Sequence, residues 1–246
     1  MKRALALLLA FLAADVAVAA KKVTKETIVL RGGERTYYQA LPDEIQPGEA
    51  LPLLLAFHGS GRNGESVVEK WAKLAKRERL IVIGLDSGDP ERWQIPADGP
   101  DPVHELVEAL RQQLPIDRSR VYLFGHSGGA VFALRLALLE SEYFAAVAVH
   151  AGSFRTDGDF ATIAMAKRKI PVLIIVGDRD QYFPLVTVEA TVEALERAGV
   201  PAEAEVMKGH DHWYYTLAAS INARAWEFLR QQQLASEPRY EVYIFR

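Results

Sequence analysis

Apolar residues follow two different periods along this chain. Short, nearly continuous apolar runs occupy 51–57, 80–85, 120–124, 145–149 and 171–176, the pattern of strands buried on both faces. A further strand is predicted at 203–207. Between the first two runs the period becomes helical: Val67, Val68, Trp71, Leu74 and Ala75 recur among Glu and Lys, which predicts an amphipathic crossover helix. The same reading places helices over 103–114, after Ser127, over 186–198 and to about 234. Ahead of this series, 27–30 and 35–40 are β-prone and separated by Gly32-Gly33, a hairpin signal. The alternation predicts an α/β architecture, a mostly parallel central sheet with helices on both faces and an N-terminal β-hairpin. Two long stretches, 86–101 and 152–169, read as irregular, and 240–245 alternates like an added edge strand.

The first twenty residues stand apart from this pattern. Lys2 and Arg3 precede an apolar run over 4–14, and small residues at Ala17, Val18, Ala19 and Ala20 precede Lys21 and Lys22. That is the three-part pattern of an export signal, cleaved after Ala19 or Ala20. The run is shorter than the ~20 residues needed to cross a bilayer. The expected organisation is therefore a signal peptide over 1–20 and a single α/β domain over 21–246, released as a secreted or periplasmic protein without a membrane anchor.

Composition narrows the chemistry. Half of the 246 residues are hydrophobic and 25% are charged, so the chain can bury a core. Lys+Arg 29 against Asp+Glu 32 gives a net charge of −3. That balance offers no basic excess for nucleic acid or anionic lipid and fits an uncharged substrate. Cysteine is absent, which excludes a disulfide framework, a thiolate-ligated metal and a cysteine nucleophile.

Gly125-His126-Ser127-Gly128-Gly129 matches G-x-S-x-G between a predicted strand and a predicted helix. A sharp strand-to-helix turn there projects the serine hydroxyl above the sheet, at a helix N-terminus that favours developing negative charge. Acyl transfer by serine also needs a base and an orienting acid. Asp178 and Asp180 follow the strand at 171–176, and His210 and His212 follow the strand at 203–207. Ser, then Asp, then His is the chain order of the α/β-hydrolases.

On His58-Gly59-Ser60-Gly61, Gly125 to Gly129, Gly177 to Asp180 and Gly209 to Tyr215, the chain resembles the α/β-hydrolase superfamily over nearly all of its length after residue 20. Within it the chain resembles in particular secreted single-domain esterases of the polyhydroxybutyrate depolymerase and feruloyl esterase kind. The resemblance implies the α/β-hydrolase fold and a cofactor-independent serine esterase. In relatives the triad acid often ends a G-x-x-D segment with a Pro shortly after; Gly177, Asp180 and Pro184 fit this, with Asp178 the alternative. Asp211-His212-Trp213-Tyr214-Tyr215 resembles the D-H-S-Y-Y segment of the esterase D and S-formylglutathione hydrolase group. That favours His212 as base, with His210 the alternative. The oxyanion donors expected of such a site are the backbone N–H of Gly128 and one from the loop after the 51–57 strand, that of Ser60 or Gly59. His58 is expected to anchor that loop and His126 to pack behind the nucleophile. Trp93, Tyr182, Phe183 and Trp213 are expected to border the site. Without a long insertion after 145–149, no large lid is expected, which suits short-chain, aryl or polymeric esters.

Other chemistries compete for the same residues. A serine peptidase uses the same triad. Gly59-Ser60-Gly61-Arg62-Asn63-Gly64 with Asp86, 22 residues after Gly64, has the spacing of a dinucleotide-binding loop. An export signal and a leading hairpin speak against that reading. His210, His212, Asp178 and Asp180 are metal-ligand types at close spacing, but no further ligand has a convincing position. The reading carried forward is a serine esterase with Ser127, Asp180 and His212 as triad, Gly59, Ser60 and Gly128 around the oxyanion, and neither metal nor cofactor.

Overall fold

The computed structural model describes residues 23–241; the signal over 1–20 and most of the edge strand expected at 240–245 lie outside them. The two of its residues that are described, Tyr240 and Glu241, are not in a strand. Strands β1 (Thr24–Leu30) and β2 (Gly33–Ala40) pair antiparallel through the turn at Arg31-Gly32. The remaining strands are β3 (Leu51–Phe57), β4 (Ile81–Leu85), β5 (Ile116–His126), β6 (Ala146–His150), β7 (Val172–Gly177) and β8 (Ala202–Met207). Among the described residues these eight form one sheet in the order β1-β2-β4-β3-β5-β6-β7-β8. From β4 to β8 every neighbouring pair is parallel, and β2 joins β4 antiparallel.

Period-two alternation within the apolar runs explains why both faces are covered. Leu53, Leu55 and Phe57 point into one core, and Leu54 and Ala56 into the other. The first core is closed by α2 (Asp101–Leu110), α3 (Gly128–Leu139) and α5 (Leu185–Arg197); the second by α1 (Gly64–Glu78) and α6 (Tyr214–Leu229). From α1, Val67, Trp71 and Ala75 are buried, the face that the helical spacing predicts.

The order also decides where chemistry can sit. The chain leaves β3 toward β4 on one side, then returns to place β5 on the other side of β3. Loops after β3 and β5 therefore diverge and open a crevice above the carboxyl ends of the strands. His58-Gly59-Ser60 follows β3 and Ser127 follows β5.

Several boundaries differ from the sequence reading, for local reasons. β5 begins at Ile116 because Ile116 itself pairs with Leu51 at the start of β3, and the polar stretch Asp117-Arg118-Ser119-Arg120 is the irregularity between that pair and the next, Leu53 with Val121. The stretch 152–169 is not wholly irregular. Thr156 and Asp159 form a reciprocal capping box that starts α4 (Asp157–Ala161), followed by a 3-10 turn over Thr162–Met165. α6 stops at Leu229 rather than near 234, and α2 runs from Asp101 to Leu110 rather than over 103–114.

Candidate active site

Each candidate chemical group lies in a turn between a parallel strand and the next helix: Ser127 between β5 and α3, Asp180 between β7 and α5, His212 between β8 and α6. The serine turn is the sharpest. Ser127 has φ 56° and ψ −120°, a strained conformation for a residue with a side chain. Its glycine neighbours leave no choice of residue. A Cβ on Gly125 would lie 2.2 Å from the Gly129 carbonyl oxygen, and one on Gly129 would lie 2.4 Å from that of Phe57. The turn is pinned from behind by the Ser127 N–H, which donates to the His150 carbonyl at 3.1 Å.

The sequence left two aspartates and two histidines open, and the structure separates them. His212 Nε2 lies 2.9 Å from Ser127 Oγ, and His212 Nδ1 lies 2.9 Å from Asp180 Oδ2. The other Asp180 oxygen accepts the N–H groups of Tyr182 (2.8 Å) and Phe183 (2.9 Å). Burial pushes the Asp180 carboxyl up, but the bonds from His212, Phe183 and Tyr182 outweigh it and hold its pKa below the usual carboxylate value. Asp178 is turned away and accepts the Gly209 N–H at 2.6 Å, shaping the loop. The two loops interlock: a Cβ on Gly177 would lie 2.1 Å from the His210 carbonyl oxygen, which accepts the Arg179 N–H at 2.9 Å.

His210 points into the protein. Its Nε2 lies 3.0 Å from His150 Nε2, and His150 Nδ1 lies 3.1 Å from His126 Nδ1. All three rings are buried. Burial pushes their pKa values down, that of His126 to about 3, so the three stay neutral at ordinary pH. The His126 ring also packs against that of His212, with 5.1 Å between centroids. His150 had no sequence signal beyond ending an apolar run, yet its backbone holds Ser127 and its ring joins the other two histidines.

The loop after β3 approaches from the opposite side. A Cβ on Gly59 would lie 3.3 Å from Ser127 Cβ, so the loop rests on the serine itself. A Cβ on Gly128 would lie 3.7 Å from the Ser60 nitrogen. The Ser60 nitrogen therefore lies close to Gly128, and the backbone N–H groups of Ser60 and Gly128 are both unpaired within the described residues. His58 anchors the loop, its Nδ1 2.9 Å from the Gly59 oxygen and its Nε2 3.3 Å from both Ser87 N and Oγ.

Ser127 opens on a cavity of about 300 Å³ lined by Gly59, Ser60, Arg62, His126, Tyr182, His212, Trp213 and Tyr215. Two larger grooves of about 640 Å³ lie beside β8 and present neither a serine nor a histidine. Of the four aromatics expected at the border, Tyr182 and Trp213 are exposed there. The other two are struts: Trp93 Nε1 donates to the His58 carbonyl at 2.9 Å and its ring stacks on Phe132, while Phe183 is buried against the His212 ring.

The residues of the two competing readings are engaged elsewhere. Asp86 Oδ1 accepts the Gly64 N–H at 2.8 Å and Asn63 caps Ser66 N, so the start of α1 is already satisfied. Gly64 is required by packing, since its Cβ would lie 2.5 Å from the Gly84 carbonyl oxygen. Among the described residues no three His, Cys, Asp or Glu side chains are grouped to hold a metal ion.

Comparison with known proteins identifies the family. Over 179 residues the chain is 30% identical to NocK of Nocardia uniformis subsp. tsuyamanensis, designated an esterase, covering 68% of this chain and 51% of that protein. It is 27% identical over 135 residues to the S-formylglutathione hydrolase of Paracoccus denitrificans, covering 46% and 48% of the two chains. The chain thus spans about half the length of these curated relatives. The solved structure of FphF, a fluorophosphonate-binding serine hydrolase of Staphylococcus aureus, shares the fold with a TM-score of 0.71 at 16% identity, over 84% of this chain and 97% of that one. Residues 85–222, more than half of the chain and the stretch holding Ser127, Asp180 and His212, match the phospholipase/carboxylesterase family model, and the chain belongs to that family of α/β-hydrolases.

Proposed function

We propose that this protein is a serine hydrolase of carboxylic esters, with Ser127 as nucleophile, His212 as general base and Asp180 as the group that orients it. The reading is carried by one observation, the unbroken chain from Ser127 Oγ through both ring nitrogens of His212 to Asp180, with 2.9 Å at each link. A serine hydroxyl is a weak nucleophile at neutral pH. In the proposed reaction His212 Nε2 takes the Oγ proton as Oγ attacks the ester carbonyl. The same proton then goes to the leaving alcohol, and an acyl-serine remains. Water, deprotonated by His212, attacks that ester in turn and releases the acid. Asp180 stays ionised and stabilises the imidazolium formed at each step.

The tetrahedral oxyanion is received by the N–H groups of Gly128 and Ser60, the unpaired donors beside Ser127. Each such donor supplies about 3 kcal/mol of transition-state stabilisation. Gly59, between His58 and Ser60, keeps the loop close enough for this by having no side chain to meet Ser127. The small open cavity suits short-chain or aryl esters, or the exposed ester of a polymer. Export after removal of the first twenty residues belongs to the same reading, and the mass of the mature protein tests it.

The decisive experiment is hydrolysis of 4-nitrophenyl butyrate by the wild type and by Ser127→Ala. The wild type is expected to turn it over with a burst of nitrophenol. Ser127→Ala is expected to lose the burst and nearly all turnover while keeping its circular dichroism spectrum. Undiminished turnover by the folded variant would falsify the reading.

A further inference from the structure

The charge at the cavity is opposite to that of the chain. Acidic residues outnumber basic ones, 32 to 29, yet the cavity lining holds an arginine, Arg62, and no carboxylate. The carboxylate closest to the chemistry, Asp180, lies behind His212 and has both oxygens occupied. Arg62 forms no ion pair among the described residues. Its guanidinium instead lies over the Tyr215 ring, 4.8 Å from the centroid, where a cation gains from the π face and keeps its N–H donors free.

The placement of Arg62 is built. Its N–H donates to the Gly59 carbonyl at 3.2 Å, and the Gly61 N–H donates to the Pro90 carbonyl at 2.9 Å. Gly61, at φ 68°, makes that turn possible. Tyr215, beneath the guanidinium, is fixed in turn by its hydroxyl, 3.2 Å from Ser66 Oγ. Lys70 Nζ lies 6.0 Å from the same ring and adds positive charge on that side. Across the site a second guanidinium, Arg155, lies 4.1 Å over Phe183, the ring stacked on His212, and it too has no ion pair among the described residues. The carboxylates on the surrounding loops include Glu91, beside Gly61, Asp86, which accepts the Gly64 N–H, Asp89, paired with Arg92, Asp178, which accepts the Gly209 N–H, and Asp211, which accepts the Trp213 N–H; none of these lines the cavity.

Resting on the reading of Ser127 as an esterase nucleophile, we propose that the preferred substrate is an ester that also carries a carboxylate, which Arg62 binds from the oxyanion side of the cavity. The turn that offers the Ser60 N–H to the oxyanion also carries Arg62, two residues on. A carboxylate held by the guanidinium therefore brings its own ester carbonyl toward Ser127. The carboxylate belongs either to the acyl half, as in the monoester of a dicarboxylic acid, or to the alcohol half.

The test compares pairs of esters alike except for charge. For the acyl half these are the 4-nitrophenyl monoester of succinate and 4-nitrophenyl butyrate; for the alcohol half, 4-carboxyphenyl butyrate and phenyl butyrate. All rates are corrected for uncatalysed hydrolysis. In at least one pair the charged-to-neutral ratio of kcat/KM is expected to fall about five- to tenfold in Arg62→Gln, and to fall in the wild type as salt is raised. Arg62→Lys is expected to be intermediate, since it keeps the charge but not the planar fork. Ratios that stay the same in Arg62→Gln for both pairs overturn the proposal. Binding is read separately, by calorimetric titration of Ser127→Ala with monomethyl succinate and with butyl carboxyphenyl ether. Arg62→Gln in that background is expected to weaken one of the two about fivefold, and equal affinity for both overturns the proposal. An inactive wild type would count against Ser127, and the binding result would still decide the role of Arg62.

Discussion

His210 and His212 stand two residues apart on one loop and have opposite surroundings. His212 sits between a carboxylate and a serine hydroxyl at the edge of the cavity. His210 is buried against another histidine and has no carboxylate within hydrogen-bond distance; Asp211 Oδ1 lies 4.0 Å from its Nδ1. In the proposed reaction one ring exchanges a proton with Ser127 Oγ, while the other fixes the loop to the sheet and stays neutral. Residue type and spacing do not tell them apart. What does is the partner on each ring nitrogen.

That contrast can be broken most directly by exchanging the losses. His212→Ala and Ser127→Ala are expected to lower kcat for an aryl ester by roughly 10⁴-fold or more. His210→Phe is expected to keep at least a tenth of the activity while losing stability. Equal losses at the two histidines would end the distinction. Asp180→Asn is expected to cost about 10³- to 10⁴-fold, because it removes the charge that holds and stabilises the imidazolium. Asp178, its neighbour by sequence, should matter little to the rate.

The next effect is on folding. His150→Leu leaves a buried nitrogen unpaired on each of His126 and His210, and a loss of about 2–4 kcal/mol is expected in urea unfolding. The pH dependence of stability follows from the same group. In the unfolded chain each histidine takes up a proton near pH ~6.5. In the folded protein His126 does so only near about 3, and His150 and His210 also below the usual value. The unfolded state therefore binds more protons as the pH falls below ~6.5. Stability should drop over that window by up to ~1.4 kcal/mol per pH unit for each such histidine. His150→Leu should flatten the slope between pH 7.5 and 5. Asp180 adds its own loss only at lower pH, as the solution passes below the ordinary carboxylate value and through its depressed one. The smallest effect belongs to Asp178→Ala, which loses an exposed bond to Gly209 and should cost no more than about 1 kcal/mol by thermal melting.

Most of the sheet was legible because burial on both faces leaves continuous apolar runs, and β3 lies at the predicted residues. The serine was legible because its turn tolerates so few residues around it. The choices between Asp178 and Asp180, and between His210 and His212, were not, because those loops lack repeating dihedrals and spacing there does not translate into direction. Likeness to relatives, not periodicity, favoured Asp180 and His212. His150 was illegible for another reason: at the end of a buried strand its ring is specified by His126 and His210, which lie far from it in sequence. Trp93 and Phe183 showed the converse, aromatics in the right loops whose packing turns them inward. The charge near Ser127 was hidden by the total, since a net value of −3 says nothing of where one arginine stands.

The three inner histidines have one more property. Each neutral ring carries a single proton, and His150 offers one nitrogen to His126 and the other to His210. If His150 donates toward His210, His126 must donate to His150; if it donates toward His126, His210 must donate to it. The three tautomers are therefore chosen together, and the row has a polarity with two senses. In the first, His126 turns a bare nitrogen lone pair outward; in the second, an N–H. Nitrogen chemical shifts of the three rings should accordingly change as one signal set, and a substitution at His150 should uncouple the outer two.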